Sequence, residues 1–196
     1  MSETLGKMHD IISYRLSAVD ALALACRLKM GWSAAVPIQV WFDGKLTIDG
    51  LSTAYTNPVI ESGVIHARAL LEFLGLTTEP KNHQRLAQRM QRRADDWGIE
   101  SFSVGNQPLR LVTPAETVVG YTGPSEEAER AFAYVIHLAN KGIAHHSSGL
   151  IIDAEDDALL ELAARGIPVL FRRHFYEPLG LEVPPSHVRL KERAAT

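Results

Sequence analysis

The chain is short of cysteine, of long apolar runs and of any large excess of one charge. Its single cysteine, Cys26, excludes an internal disulfide, and its alanine and leucine neighbours predict a small buried packing residue rather than a nucleophile. The sequence lacks an apolar run of the roughly 18 residues that can span a bilayer, so we expect no membrane partner. The net charge of -3 argues against a protein that coats nucleic acid and leaves room only for a local basic patch.

A secretory signal is also missing, because the opening residues MSETLGKMHD do not have its basic-then-apolar order. Together with the single cysteine, this predicts a cytoplasmic protein. What is present is ordinary for a globular protein, with 46% hydrophobic and 22% charged residues in 196 positions. Because we find no internal repeat and no low-complexity linker, we expect residues 1–196 to form a single helical domain.

Five segments carry apolar residues at helical spacing. They cover residues 8–30, 57–75, 81–98, 125–146 and 154–165. Asn57 and Pro58 predict the start of the second helix, as its cap and its first helical residue. The fifth helix is expected to end at Gly166-Ile167-Pro168, which leaves an irregular C-terminal tail from about residue 169.

Two shorter segments alternate apolar and polar residues, which predicts β-hairpins near 37–50 and 99–112. The first turns at Asp43-Gly44, a pair that readily adopts the positive backbone angles of a tight turn. The second turns at Gly105-Asn106, and the segment that follows it, beginning at Thr113, resembles a helix start. We therefore predict a mainly α fold, a bundle of four or five helices with short β-hairpins.

The predicted helix over 125–146, which Ser125 is expected to cap, divides into an apolar face and a polar face. Its polar face aligns Arg130, Tyr134, His137, Lys141 and His145. At roughly 100° per residue, these five fall within a strip only about 80° wide. Two imidazoles, a phenol and two fixed positive charges suit an anionic ligand. The alternative is the ordinary polar face of a surface helix.

His145 and His146 lie where this helix is expected to stop, because Gly142 weakens its final turn. An imidazole in that place can act as an acid or a base near neutral pH. The alternative is that His145 caps the last carbonyls of the helix. His137, one or two turns earlier, either holds a substrate phosphate or lies in solvent.

His66 lies on the apolar stripe of the second helix, which is an unusual place for an imidazole. It is either a buried histidine satisfied by one hydrogen bond or a further member of a ligand cavity. Three histidines, His66, His137 and His145, could in principle bind a metal, but no HExxH-like spacing fixes them. We therefore expect no metal and no cofactor. The same helix carries Arg68 one turn before Glu72, which predicts an ion pair.

The segment 81–93 is basic. Its positive charges are Lys81, Arg85, Arg89, Arg92 and Arg93. On a helix, several of them share a face that could contact nucleic-acid phosphates and make binding salt-dependent. The alternative is a solvated face offset by Asp95, Asp96 and the acidic stretch 153–157.

Two segments carry a family resemblance, NPVIESGVIHARALLEFLG at 57–75 and ANKGIAHH at 139–146. They resemble uncharacterised bacterial proteins with an HxRxLLxF helix followed by an NKxxAH helix. The second segment is also similar to the RxxxxH motif of HEPN domains, which are helical bundles that usually work as dimers and are often metal-independent ribonucleases. In this chain His145 matches the histidine, whereas Asn140 stands where the family has arginine, and Lys141 follows it.

The resemblance implies catalytic roles for three residues, with His145 transferring a proton or holding the phosphate and Asn140 and Lys141 binding the phosphate. The expected substrate contacts are His66, His137, Tyr134, Arg130 and His146. The expected function is thus a HEPN-like ribonuclease or a degenerate relative that binds RNA or a nucleotide. The alternatives are a non-catalytic homodimeric interaction module and a purely structural bundle. Asn140 lies about 140° around an ideal helix from His145, so both reach one ligand only if the last turn unwinds or a second subunit contributes.

Overall fold

The computed structural model describes residues 3–89, 91–93, 95–143, 154–186 and 188, and it has the mainly α fold that the sequence predicts. Its α-helices are α1 (Glu3–Met30), α2 (Thr53–Phe73), α3 (Pro114–Thr117), α4 (Ser125–Leu138), α5 (Ala154–Phe171) and α6 (Glu177–Leu179). The four long helices form the bundle, in which α2 and α5 each pack against both α1 and α4. No helix in the described part of the chain is long and apolar enough to cross a membrane.

The apolar faces of the four long helices meet in one core. Helices α1 and α2 approach most closely at Gly63, where an added Cβ would lie 2.5 Å from the Cβ of Leu22. Cys26 is fully buried in this core, which confirms its predicted packing role. Burial, followed by the nearby charge of Asp157, raises the pKa of its thiol to about 12, so Cys26 stays protonated at neutral pH and does not act as a nucleophile.

The first predicted hairpin is confirmed as β1 (Pro37–Phe42) paired antiparallel with β2 (Lys45–Leu51). Its turn residues Asp43 and Gly44 both have positive φ, 48° and 73°, as the Asp-Gly signal requires. The second predicted hairpin is confirmed in a shorter form. Its strands are β5 (Ser103–Val104) and β6 (Gln107–Pro108), preceded by a 3-10 turn at Ile99–Ser101.

The predicted helix over 81–98 is wrong. The chain forms another antiparallel hairpin there, β3 (Leu76–Thr78) with β4 (Leu86–Gln88), followed by irregular backbone. The apolar line that favoured a helix has only one buried anchor in the described residues, Leu86, because Trp97 is 49% exposed. A thin apolar face gives a helix little packing energy, so the tertiary contacts of Leu86 decide the local structure.

The predicted start of α2 is also wrong, because the helix begins at Thr53 and contains Pro58. The carbonyl of Ser52 accepts hydrogen bonds from the backbone N–H groups of Tyr55 and Thr56 at 3.0 and 2.8 Å. These bonds form the first turn before Asn57, so Asn57 is not the cap. Pro58 removes one backbone donor from the second turn, where the helix tolerates it.

The predicted end of the fifth helix and the irregular tail from 169 are wrong as well. Helix α5 runs through Gly166 and Pro168 to Phe171 and continues as a π-helical turn, Arg172–Tyr176, into α6. Phe171, Phe175 and Tyr176 are all fully buried in the core. Their burial outweighs the local helix-breaking tendency of glycine and proline, and irregular backbone begins only after Gly180.

Candidate functional site

Helix α4 carries the first three residues of the polar strip that the sequence singles out, Arg130, Tyr134 and His137, and its apolar face is buried as predicted. Pro124 rather than Ser125 is its N-cap, so the predicted cap is one residue too late. Arg130 forms an ion pair with Glu155 of α5 at 2.7 Å, which occupies its guanidinium on the surface. Tyr134 is partly buried against the core. Tyr134 is therefore packed into the bundle, whereas Arg130 is exposed and held in a surface ion pair.

His137 has an imidazole partner that the sequence did not identify. The ring of His83, from the turn between β3 and β4, stacks on the ring of His137 with centroids 4.6 Å apart and planes 24° from parallel. Lys141 lies close enough to His137 to act on its charge. We call His83, His137 and Lys141 the imidazole cluster.

The turn that carries His83 is held in place by two sets of bonds. Within the turn, the Oδ1 atom of Asn82 accepts a hydrogen bond from the N–H of Gln84 at 3.1 Å, as in an Asx turn. The turn is also held against α4, where the Oε1 atom of Glu129 accepts hydrogen bonds from the backbone N–H of Leu86 at 3.0 Å and from Nε of Arg85 at 3.1 Å. Glu129 is thus a positioning residue, because it fixes the hairpin that places His83 over His137.

The pKa of His137 is lowered from its ordinary value. Partial burial is the largest cause, followed by the charges of His83 and Lys141. The neutral ring therefore prevails at neutral pH and can accept a proton or a hydrogen bond. A bound anion would raise the pKa of His137, since its negative charge would favour the protonated imidazole.

Beyond Leu138 the helix changes to a π-helical turn over Ala139–Ile143. A π turn bonds i to i+5, so the ideal-helix angles that separate Asn140 from the strip do not apply there. Asn140 is half-buried and Lys141 is exposed. His145 and His146 lie outside the described residues, so the roles given to them above stay predictions.

His66 lies in the groove between α1 and α2. Its Nδ1 is 3.4 Å from Nη1 of Arg15, and its ring meets Tyr14 edge-on with centroids 5.1 Å apart. Partial burial, followed by the charge of Arg15, lowers its pKa. These contacts are all with α1, and the described contacts of His137 are with the β3–β4 turn and the end of α4. The structure therefore does not bring His66 and His137 together.

The basic segment 81–93 does not form the charged helix face, because the helix it required is not formed, although Arg89, Arg92 and Arg93 line one pocket with Arg68. Its arginines instead reach carboxylates on different elements, in the ion pairs Arg85–Glu129 (3.1 Å), Arg89–Glu72 (3.2 Å), Arg89–Asp96 (3.5 Å) and Arg92–Glu100 (2.6 Å). Glu72 also accepts the predicted bond from Arg68 at 3.0 Å. Much of the positive charge is thus neutralised within the fold.

Across residues 3–89, 91–93, 95–143, 154–186 and 188, no group of three or more His, Cys, Asp or Glu side chains is placed to hold a metal ion. His145 and His146 are not among the residues to which this statement applies.

Sequence reasoning missed His83 and Glu129. The signal for His83 was present in Glu79-Pro80-Lys81-Asn82, since proline followed by asparagine marks a turn rather than a helix. Glu129 had no such signal, because its partners are distant in the chain. In comparisons with protein-family models, curated proteins and solved structures, none matches this chain.

Proposed function

We propose that this protein binds a phosphate-bearing ligand, RNA or a nucleotide, through the imidazole cluster. The observation that carries the proposal is the stacked His83–His137 pair beside Lys141. A phosphate would pair with the ammonium group of Lys141 and with whichever imidazole is protonated. The exposed ring of His83 also offers a face on which an unstacked base can lie.

The enzymatic form of this proposal is a metal-independent ribonuclease of HEPN-like character. In that form His145 transfers the proton, and Asn140 and Lys141, which lie in the π-helical turn after α4, bind the scissile phosphate. Histidine is well suited to proton transfer, but neutral Asn140 stabilises less charge than an arginine would. We therefore place binding ahead of cleavage. With its one buried cysteine, the chain suits the reducing cytoplasm, where we propose that it acts.

Replacing Lys141 by glutamine is expected to weaken binding of a short single-stranded RNA by about tenfold, because a charged hydrogen bond to phosphate is lost. The slope of log affinity against log salt should fall by about 0.7 for one lost phosphate contact. Fluorescence anisotropy at several salt concentrations measures both. The matched control is Lys45→Gln, which removes the same charge from the exposed β1–β2 hairpin.

The affinity should also rise as pH falls through the ordinary imidazole range near ~6.5. The sign follows because the pKa of His137 is lowered in the free protein and would be raised by a bound phosphate. His137→Gln should flatten this dependence.

Equal losses of RNA affinity in Lys141→Gln and Lys45→Gln would contradict the site. Cleavage of the same RNA in chelator, abolished by His145→Ala, would establish the enzymatic form.

A second candidate, a homodimeric interaction module, is favoured by exposed apolar side chains of the β1–β2 hairpin. The register shifts between Val40 and Trp41, so that Val40 opposes Ile48 while Trp41 opposes Leu46. Thr47 of β2 is left out of the pairing, so Trp41 lies beside Leu46 at the bulge. The hairpin exposes apolar side chains around this point, since Trp41, Leu46 and Ile48 are 56%, 43% and 42% exposed.

A second copy of this chain is the partner we propose for these exposed apolar side chains. A two-fold mate would bring the same apolar side chains against them, and a lone two-stranded hairpin is only marginally stable in water. Three partly exposed side chains supply roughly a few hundred Å² per copy. A stable interface buries about 800 Å² per partner, so the expected dimer is weak and concentration-dependent.

Replacing Trp41 by serine is expected to shift the protein to monomer at every concentration where the unchanged chain is partly dimeric. Trp41 would be the central contact, since it presents the largest apolar area of these side chains. Sedimentation equilibrium measures the shift. Phe42→Ser is the matched control, because Phe42 is 61% exposed on the opposite face of the hairpin. A wholly monomeric unchanged chain at high concentration would exclude the dimer.

A further inference from the structure

A cavity of about 260 Å³ lies between α4, α5 and the loop 117–123, apart from the imidazole cluster. Its apolar lining comes mainly from the two helices, as Ala128, Phe132, Leu162, Gly166, Val169 and Leu170. We call it the α4–α5 pocket. Its volume is close to the lower limit of small-molecule sites, so it fits a small ligand rather than a protein segment.

The pocket borders a close contact between the two helices, where Gly166 of α5 meets Phe132 of α4. A Cβ added at Gly166 would lie 2.6 Å from Cζ of Phe132, so the ring of Phe132 rests directly on the backbone of α5. Glycine inside a helix costs about 1 kcal/mol relative to alanine. At this position the close contact with Phe132 offsets that cost and leaves room beside the ring.

The rim of the pocket is positively charged. Arg173 donates from Nη1 to the carbonyl of Val119 at 2.9 Å, and in the described residues it has no carboxylate partner. Arg165 pairs with Glu161 at 2.9 Å, but Glu161 is already paired with Arg27 at 2.9 Å. Two guanidinium groups thus share that one carboxylate, and no acidic side chain of the described chain lines the pocket.

Arg165 lies on α5 and Arg173 lies in the π-helical turn that follows it, and both line the pocket, so their long side chains can reach one group at its mouth. The loop supplies the hydroxyl of Thr122 at the same mouth, whereas the hydroxyl of Tyr121 donates to Glu127 at 2.9 Å. An apolar floor beneath two cations and a hydroxyl donor is complementary to a ligand with an apolar body and an anionic head.

We propose that the α4–α5 pocket binds a small amphipathic organic anion, with its carboxylate at Arg165 and Arg173 and its hydrocarbon part on Phe132 and Leu170. Arg173 anchors the loop through Val119 and still offers Nη2, which lies next to Gly120, to the ligand. The site is independent of the imidazole cluster, so its test does not depend on RNA binding.

Isothermal titration calorimetry on the full chain tests the proposal. Octanoate is the ligand, and 1-octanol is its uncharged match. Octanoate is expected to bind with a dissociation constant of about 1 mM or lower and at least about tenfold more tightly than octanol. Arg173→Gln should weaken octanoate binding by about tenfold. Arg172→Gln should change it by less than about twofold, because Arg172 is exposed next to Arg173 but does not line the pocket.

A steric variant covers the case in which Arg173→Gln loosens the loop. Val169 lines the pocket and is 51% exposed, so Val169→Trp fills the space without disturbing the core and should abolish binding. Three results would each overturn the proposal: equal affinity for octanol and octanoate, equal losses in Arg172→Gln and Arg173→Gln, or unchanged binding in a folded Val169→Trp. Unchanged binding in Val169→Trp would place the ligand elsewhere, for example on the exposed apolar side chains of the β1–β2 hairpin.

Discussion

Replacing Phe175 by alanine is expected to lower the free energy of unfolding by about 3–5 kcal/mol, the usual cost of removing a fully buried phenylalanine. Phe175 is 0% exposed and forms the centre of an aromatic cluster. Its ring centroid lies 5.5 Å from Phe73, 5.4 Å from Phe102, 6.3 Å from Phe171 and 5.4 Å from Tyr176. The variant therefore leaves a cavity and also loses several edge-to-face contacts.

Urea unfolding followed by circular dichroism measures this loss. Phe42→Ala serves as the matched control, because Phe42 is 61% exposed on the hairpin, and its substitution should change stability by less than about 0.5 kcal/mol. A similar small change in Phe175→Ala would show that the segment after Pro168 is not part of the core. That result would restore the irregular tail that the sequence predicts.

Replacing Gly63 by alanine is expected to destabilise the protein by about 1–3 kcal/mol, although alanine is normally the better helix former. The added Cβ would lie 2.5 Å from Cβ of Leu22 and 3.2 Å from the carbonyl oxygen of Ala18. Both are close to the α1 backbone and cannot swing away as the end of a flexible side chain does. The two helices must separate, which weakens the packing of the whole α1–α2 face.

The same urea experiment with Gly50→Ala provides the control. Gly50 lies in β2, where an added Cβ meets nothing within 4 Å, so the same chemical change should not destabilise the protein. A Gly63→Ala variant as stable as the unchanged chain would contradict the close approach of α1 and α2.

The sequence predicts those parts of the fold that local chemistry decides. Asp43-Gly44 forms the expected turn, and the apolar spacing of α4 forms the expected buried face. The sequence does not predict the local structure where contacts with residues distant in the chain determine it. The segment 81–98 has the composition of a helix, but the bonds of Glu129 to Leu86 hold it as a hairpin. Likewise, the burial of Phe171 carries α5 past Pro168.

The candidate site shows the same division. His137 and Lys141 follow from helical periodicity alone, because they belong to one element. His83 reaches them only through the tertiary position of the β3–β4 turn. Arg130 is paired with Glu155 of another helix in the structure. The sequence around Arg130 does not predict this pair, because the two residues are distant in the chain.

The protonation of His83 and His137 tests the central proposal most directly, and NMR titration of their ring signals measures it with and without a short single-stranded RNA. In the free protein, the pKa of His137 should lie below its ordinary value. With RNA bound, it should rise, because a phosphate beside Lys141 stabilises the charged imidazole. The His66 signal should not shift, since its contacts are in the α1–α2 groove. An unchanged pKa of His137 at saturating RNA would contradict the account.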